Sequence, residues 1–555
     1  MRKGESAFGV ERGDCPPPGR EPSALQQIRE SAGQLLTDGK VDEACDYLFA
    51  ALAAVLQKNG ELELLLAKMR RERVGKRTER IDPRQLSLML EQLARLEGQP
   101  AETTVDLEGE SQADTDLSHE IDEAKKEDFA SKKKKKGKQG RVKTRGARRE
   151  VLRVAVPEEE RTCRTCGKQM PVIGEDVSRV LEYVPGHFIE VAYQLEKCAC
   201  GSCKDGVTTA AGPDKVIERS PAGASLLAHV VVSKYVDHCP LHRLRRIYRR
   251  SGATIAVSTL SDWVASVADL TQPLVDKLAE RVLEAHVTAT DATGLKVLDP
   301  NSPENIARGT IWCYVGDDRD VLFRYTPTGE GATGPWEFLA GRTGYIQADA
   351  ASVFDRLYNG RVASAIELGC WSHGRRRLEA LKDTDCRVAY PLLLISRLYR
   401  IETLADVRKL EPDDRAVLRQ ERSSVVLKKL KRWLLGTLVN DPPSSQLAQA
   451  IRYIINQWDA LGRFVEDGRL SLDNNLCERQ IRDIALGRRN YLFAGSHDAA
   501  RRTATLYSLM RTCAQYGVAP LPYLTDVLQK LAGGWKANRL DELLPDRWQA
   551  LHATA

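Results

Sequence analysis

The stretch Gly468 to Ser496, GRLSLDNNLCERQIRDIALGRRNYLFAGS, carries a single glutamate, Glu478, among amides and cations. Its spacing predicts a helix in which Asn475, Glu478 and Arg482 share one face, because they are three and four residues apart. Cys477, Ile481 and Ile484 make an adjoining apolar face, and Asp473 or Asn474 can cap the first turn by accepting from its free N–H groups. An acid held in this way can ligate a metal, or it can simply form a surface salt bridge. The choice depends on whether other carboxylates meet it. Asp291 and Asp349 are the candidates, each at the end of a short strand-like run, HVTAT and GYIQA. Two aspartates and a glutamate would offer hard oxygen ligands suited to Mg²⁺ or Mn²⁺, and no His/Cys set competes for that role. A pair of such ions is what in-line phosphoryl displacement uses.

The elements around these acids follow a definite order. His286 to Thr290 leads into Asp291 and GLKVLD, and TIWCYVG and VLFRYTP flank the turn residues Asp317-Asp318-Arg319-Asp320. A hairpin is expected there. A short helix (PWEFLAG), the strand with Asp349, a helix (SVFDRLYNG), the strand VASAIELGC and a helix opening at Trp371 come next. Three antiparallel strands, a helix, a parallel strand and further helices is the order of a ribonuclease H-like α/β core. In such a core Asp291 and Asp349 lie on neighbouring strands. A helical insertion over about 375–466 separates Asp349 from Glu478 and lets the chain return with the third acid.

Upstream, Cys163-Arg-Thr-Cys166 and Cys200-Gly-Ser-Cys203 form two C-x2-C pairs. Each presents two thiolates at the bite of a tetrahedral Zn²⁺, and four thiolates close the site, so this zinc is structural. Cys198 is then a spare thiol. Between the zinc module and Asp291, PLHRLRRIYRRSGATIAVSTLSDWVASV reads helix, turn, helix, with Leu241, Leu244 and Ile247/Tyr248 on one face and Ser258 as a cap. This is a helix-turn-helix candidate in which Arg243, Arg245 and Arg246 meet DNA or merely face solvent.

The N-terminal part is of another texture. Cys45, Leu48, Leu52, Val55, Asn59, Leu62, Leu66 and Met69 alternate steps of three and four, the pattern of a coiled-coil seam, which would make a homo-oligomer or else pack on the helix's own domain. RRERVGKRTERID follows, where Lys76 and Arg77 could lie on DNA phosphates or end a solvated helix. Between Glu102 and Asp128 there are eleven acids against two lysines, and Lys132 to Arg149 carries eleven cations and no acid. Such blocks repel internally and are expected to stay unfolded. The basic half could neutralise DNA phosphates, or the whole could be an inert linker. The 83 Lys and Arg against 77 Asp and Glu leave a net charge too small to name a partner. There is no run of eighteen apolar residues and no signal-peptide pattern, so a cytoplasmic protein without membrane contact is expected, its thirteen cysteines thiols or metal ligands. The expected division is a tail at 1–22, a helical oligomerisation and DNA-binding region at 23–97, and a charged linker at 98–150. The zinc module at 151–215, the helix-turn-helix-like region at 216–284, the catalytic domain at 285–500 and a helical region at 501–555 complete it.

Several strings resemble one family, the DDE transposases of bacterial insertion-sequence family sixty-six (the TnpC-type proteins). They are the segment Gly75 to Glu79 after the coiled coil, the two C-x2-C pairs, KYVDHCPLHRLRRIYRRSG with STLSDWV, TDATGLKVL, QADA, CWSHGRR, LSLDNNLCER with IALGRRNYLFAGS, and TLYSLMRTCAQYGV. The resemblance runs from about residue 50 to 540. Where the family usually has Leu-Phe-Gly this chain has Arg73-Val74-Gly75, and where an acid or proline often accompanies the first aspartate it has Asp291-Ala292-Thr293-Gly294.

The resemblance implies that Asp291, Asp349 and Glu478 are the metal-binding catalytic triad. Cys370 and His373 of the C-x2-H element, with Asn475 and Arg482, would support that site, and Arg479, Arg482, Arg488 and Arg489 would hold phosphates. It implies an enzyme on the bacterial nucleoid that binds the inverted ends of its mobile element in double-stranded DNA, pairs them as an oligomer and uses Mg²⁺ to cut strands and join them to target DNA. Accessory proteins of the same element could take part. A decayed, zinc-dependent DNA-binding repressor and a stand-alone nuclease are the competing readings.

Overall fold

The computed structural model describes residues 186–199 and 207–553, the helix Leu107–Lys132, and positions 34, 37, 45, 48 and 89. The chain divides into two compact units, residues 1–107 with 381–393 and residues 108–380 with 394–555. In the first, Cys45 and Leu48 are exposed helical positions, and Asp385 caps the turn Cys386–Val388 by accepting from the Arg387 amide. The rest of the coiled-coil seam, Lys76, Arg77 and all four zinc-candidate cysteines lie outside the described residues. All that follows concerns the second unit, where no described helix is long and apolar enough to cross a membrane. It begins with α1 (Leu107–Lys132) and a small antiparallel hairpin, β1 (Lys197–Ala199) with β2 (Val207–Thr209), whose strands flank Cys200 and Cys203 in sequence. Residues 188–196 are exposed and belong to no assigned strand.

Three helices follow, α2 (Ala224–Tyr235), α3 (Leu241–Arg250) and α4 (Val257–Glu284). In α3, Leu244 and Tyr248 are buried four residues apart, and the Tyr248 hydroxyl lies 2.7 Å from His229 Nδ1 on α2. Helix α4 buries Leu260, Trp263, Val264 and Val267 at helical spacing. Ser258 does not cap it: the N-cap is Ala256 and no side chain bonds the first turn.

The sheet is built from a stretch rich in β-branched and aromatic residues, which favour a pleated, buried surface. Strands β3 (Val287–Leu298), β4 (Ile306–Gly316) and β5 (Asp320–Thr326) form an antiparallel meander, and β6 (Tyr345–Gln347) and β7 (Ile366–Leu368) add in parallel. The order across the sheet is β5-β4-β3-β6-β7, so β3 is central and only β4 runs against the other strands. At the β4–β5 turn Asp317 and Asp318 take positive φ (46° and 61°), which aspartate tolerates better than most residues. The Asp317 carboxylate accepts from the amides of His286 and Val287 and pins the turn to the start of β3.

Between β7 and Asn475 the chain is helical, with α5 (Trp371–Glu379), α6 (Ala389–Arg408), α7 (Pro412–Leu418), α8 (Ser424–Asn440) and α9 (Gln446–Asn456) as its main elements. Then come α10 (Asn475–Tyr491), α11 (His497–Tyr516), α12 (Pro520–Ala532) and α13 (Pro545–Ala553). Helix α11 covers the open edge of β5. The amides of Val321 and Phe323, which have no strand beyond them, donate to the hydroxyls of Thr512 (3.0 Å) and Ser508 (2.8 Å).

Helix α1 corrects the expectation of an unfolded acidic block. Its residues Glu110, Asp114, Leu117, Ile121 and Ala124, alternately four and three apart, form one inward stripe. Glu110 bonds Arg397 of α6 and Lys429 of α8, Asp114 bonds Arg400, and Glu120 takes Arg408 at 2.8 Å and Arg422 at 2.5 Å. Three of the acids that repel one another in isolation, Glu110, Asp114 and Glu120, are paired with cations 286 to 319 residues away.

Candidate metal centre

The parallel register of β3 and β6 pairs Val287 with Tyr345, Thr288 with Ile346 and Ala289 with Gln347. Asp291 and Asp349 each stand two residues beyond the last pair, at the same level. An even step keeps each on the same face as that pair, with neighbouring strands about 4.8 Å apart. Both acids are half-buried. Asp291 Oδ1 accepts from the next amide, Ala292 (2.7 Å), and Asp349 Oδ1 from Ala351 (3.3 Å).

Glu478 arrives on α10, whose start is tied to the same strands. Gln347 Nε2 donates to the carbonyls of Gly369 (3.1 Å) and Ser471 (2.9 Å), which fixes the chain ahead of the helix. The Asn474 side chain donates to the carbonyl of Thr290 (2.8 Å), the residue before Asp291, and its amide donates to Cys370 Sγ (3.2 Å). Asn474 is therefore a brace between strand and helix, and Asp473 caps by accepting from the Asn475 amide (3.0 Å). Asn475 turns its own amide onto Asp473 Oδ2 (2.5 Å) and steadies that cap. Glu478 lies in the first turn, where the helix dipole favours an anion.

The Glu478 carboxylate meets α5 side on. Arg376 reaches Oε2 at 2.7 Å and Oε1 at 3.3 Å, and His373 Nε2 lies 3.8 Å from Oε1. Sequence reasoning missed Arg376, although it stands one turn after His373 in the CWSHGRR string and so on the same helix face. Cys370, His373 and Glu478 offer S, N and O atoms within 4.8 Å of one another. Burial pushes the Cys370 thiol up to about 11, which works against the thiolate a soft metal needs. The charges of all three acids are felt together at Asp291. Burial pushes its carboxyl up to about 6, the Ala292 amide opposes this, the negative charges of Asp349 and Glu478 add to it, and Arg376 offsets part. The charges of Asp349 and Glu478 acting on Asp291 leave negative charge for a divalent cation to neutralise, so the donor set fits Mg²⁺ or Mn²⁺.

The expected phosphate arginines divide. Arg482, on the Glu478 face, and Arg489 are exposed and have no ion pair among the described residues. Arg488 is half-buried and donates to the carbonyl of the exposed Gly294 on β3. Arg479 is exposed and its charge acts on Asp318 and Asp473. Arg243, Arg245 and Arg246 are exposed along α3, away from its buried Leu244 and Tyr248.

Residues 219–502 match the Transposase IS66 family, residues 508–545 the IS66 C-terminal element, and residues 160–204 the zinc-finger binding domain of transposase IS66. The last range contains Cys163, Cys166, Cys200 and Cys203. The uncharacterized protein y4qI of Sinorhizobium fredii is 34% identical over 410 residues, which span 71% of this chain and 75% of that protein. A second uncharacterized protein of that organism, y4jD, is 30% identical over 411 residues, 72% of this chain and 80% of its own length. Asp291 on β3, Asp349 just past β6 and Glu478 on α10 thus lie inside the segment matched by the first of these families, and the chain belongs to the IS66 family of transposases.

Proposed function

We propose that this protein is a metal-dependent DNA-cutting and DNA-joining transposase whose catalytic acids are Asp291, Asp349 and Glu478. One observation supports the reading: Asp291 and Asp349 stand at the same level of the β3–β6 register, and the charges of Asp349 and of Glu478 on α10 both act on Asp291. The strand order β5-β4-β3-β6-β7, with β4 alone reversed, supports a ribonuclease H-like core carrying a helical insertion. Asp291, Asp349 and Glu478 would hold the divalent ions. When bound, two such ions would supply Lewis-acid charge at the reacting phosphate.

The chain's own residues do the rest. Asn474 and Gln347 hold the third acid in register with the other two, and His373 and Arg376 orient its carboxylate. Arg482 and Arg489 are free to receive phosphates, and the arginines of α3 would extend that contact along a duplex. Cys163, Cys166, Cys200 and Cys203 would fold the zinc-finger domain around one Zn²⁺. The substrates would be the ends of the protein's own mobile element and a target duplex.

A strand-transfer assay tests the reading. Full-length protein, a terminal-repeat duplex, plasmid target and Mg²⁺ should give joined product, and Asp291→Asn or Glu478→Gln should abolish both cutting and joining. Cutting without joining would point to a nuclease, and binding without cutting to a repressor. Product that survives both substitutions would overturn the assignment of the acids.

A further inference from the structure

Strand β3 is longer than the sheet that holds it. Its pairing to β6 ends at Ala289, and β5 pairs with β4 only from Thr310 onward. The remainder, Leu295–Leu298 against Ile306–Gly309, is a two-stranded arm projecting past the sheet. Leu295 and Val297 bury one face of the arm, and alternation puts Lys296 and Leu298 on the other, opposite Arg308 and Ile306. All four are exposed.

Lys296 and Arg308 are direct cross-strand partners. Like charges placed directly opposite one another on a sheet are destabilising. Neither side chain has an ion pair among the described residues. The nearest acid along the strand, Asp299, is turned into the hairpin loop, where the Asn301 amide (3.0 Å) and the Ser302 hydroxyl (2.8 Å) donate to it. Glu304, at the loop tip, is exposed. A cation pair with no acidic partner among the described residues, fixed on a rigid ribbon, is a cost to the free protein and is matched to an anionic ligand.

The arm is also held firmly from the side. Ala494 donates to the Lys296 carbonyl (2.9 Å) and accepts from the Leu298 amide (2.9 Å), and Arg488 donates to the Gly294 carbonyl. This connection runs through Leu492 at φ 65°, a conformation a bulky side chain rarely adopts, and leaves Leu492 and Phe493 exposed beside the arm. The exposed Arg489 lies on the same last helical turn.

Resting on the reading of this chain as a DNA enzyme, we infer that the outer face of this arm is a second DNA contact, in which Lys296 and Arg308 straddle the phosphate backbone of a duplex and Arg489 extends the cationic edge. A two-stranded ribbon is of a size that lies on or in a duplex groove.

The pair makes opposite demands on stability and binding, which gives a test with two readouts. Full-length wild type, Lys296→Gln, Arg308→Gln and the double variant are titrated onto a duplex of about 30 base pairs by fluorescence anisotropy between roughly 50 and 200 mM salt. Each protein is also melted without DNA. Each single variant should melt higher than wild type. Each should bind roughly threefold to tenfold more weakly at about 100 mM salt, with a salt slope lower by about one. Unchanged affinity and slope overturn the contact, and a lower melting temperature in both single variants overturns the like-charge argument behind it. Wild type that binds no duplex overturns the reading of the chain as a DNA enzyme, whereas wild type that binds with unaffected variants removes only the arm.

Discussion

The Arg376 guanidinium lies fork-to-fork on the Glu478 carboxylate, with Nη2 2.7 Å from Oε2 and Nη1 3.3 Å from Oε1. Arg376 also supplies the positive charge that offsets burial and like charge at Asp291. It is therefore the counter-ion of Glu478, and a divalent cation held by these acids would have to share or displace it. Arg376→Gln, which keeps a hydrogen-bonding side chain without the charge, should lower the melting temperature of the metal-free protein. It should also tighten Mn²⁺ binding by roughly tenfold, because a competing cation has gone. Mn²⁺ affinity measured by electron paramagnetic resonance checks this, and weaker binding in the variant would mean that Arg376 orients Glu478 for the metal.

Asp291 predicts a specific pH dependence. Its carboxyl is held up at about 6, against an ordinary value of 3.8. Between those values the folded protein keeps a proton that the unfolded chain has lost, so this group's contribution to stability falls as pH rises through the window. Above about pH 6 the charged side chain is a standing penalty. Asp291→Asn removes the penalty, so the variant should melt higher than wild type at pH 7 and the gap should close as pH falls toward 4. Mn²⁺ has to displace the same proton, so its affinity for wild type should weaken below about pH 6. A melting difference that does not change with pH would contradict the assignment.

Where each acid lies on its own element is readable locally. Alternation ending at Asp291, the turn at Asp317 to Asp320, the strand before Asp349 and the three-four spacing around Glu478 are short-range patterns. What joins those elements is not. The Arg376 partnership spans 102 residues and the Asn474 bond to Thr290 spans 184, and no periodicity encodes either. Asn474 reads as a cap from its neighbours, and only the fold turns its side chain onto the strand beside Asp291. Helix α1 is the sharpest case. Composition alone says that its acids repel, and the cations that reverse this come from α6, the turn after α7, and α8.

Glu110 should be the most sensitive residue of α1. Although burial pushes its carboxyl up, hydrogen bonds from Lys429 and Arg397 hold it below its ordinary value. Both Glu110 and Arg397 are almost fully buried. Glu110→Gln takes the buried carboxylate from Arg397, which keeps the Glu110 carbonyl and Asp114 at 3.9 Å, and should cost about 3 kcal/mol. Because the folded pKa is lowered, the contribution is present at neutral pH and is lost as acid protonates the group. Limited proteolysis within residues 107–132, rising in the variant and in wild type on acidification, is the readout. A variant whose helix stays protected would show that Leu117, Ile121 and Ala124 hold it without the ion pairs.

The edge of β5 offers a local test of how the sheet ends. A strand edge presents unpaired N–H and C=O groups to any chain that can reach them, and proteins cover it or blunt it. Here a helix does so with side chains: Ser508 and Thr512, one turn apart on α11, accept from the Phe323 and Val321 amides. Both hydroxyls also bond backbone carbonyls, Ser508 to Ala504 at 2.8 Å and Thr512 to Val321 at 3.1 Å, so each is fixed in its receiving position. Ser508→Ala removes little volume but strands a buried N–H, and should cost about 1–3 kcal/mol. Thr512→Val keeps the shape and should cost a similar amount for the same reason. Hydrogen exchange separates this from a general loss of packing: the Phe323 amide should lose protection first in Ser508→Ala, and the Val321 amide in Thr512→Val. Equal loss at both amides in both variants would mean that α11 covers the edge by burial alone and that its hydroxyls are incidental.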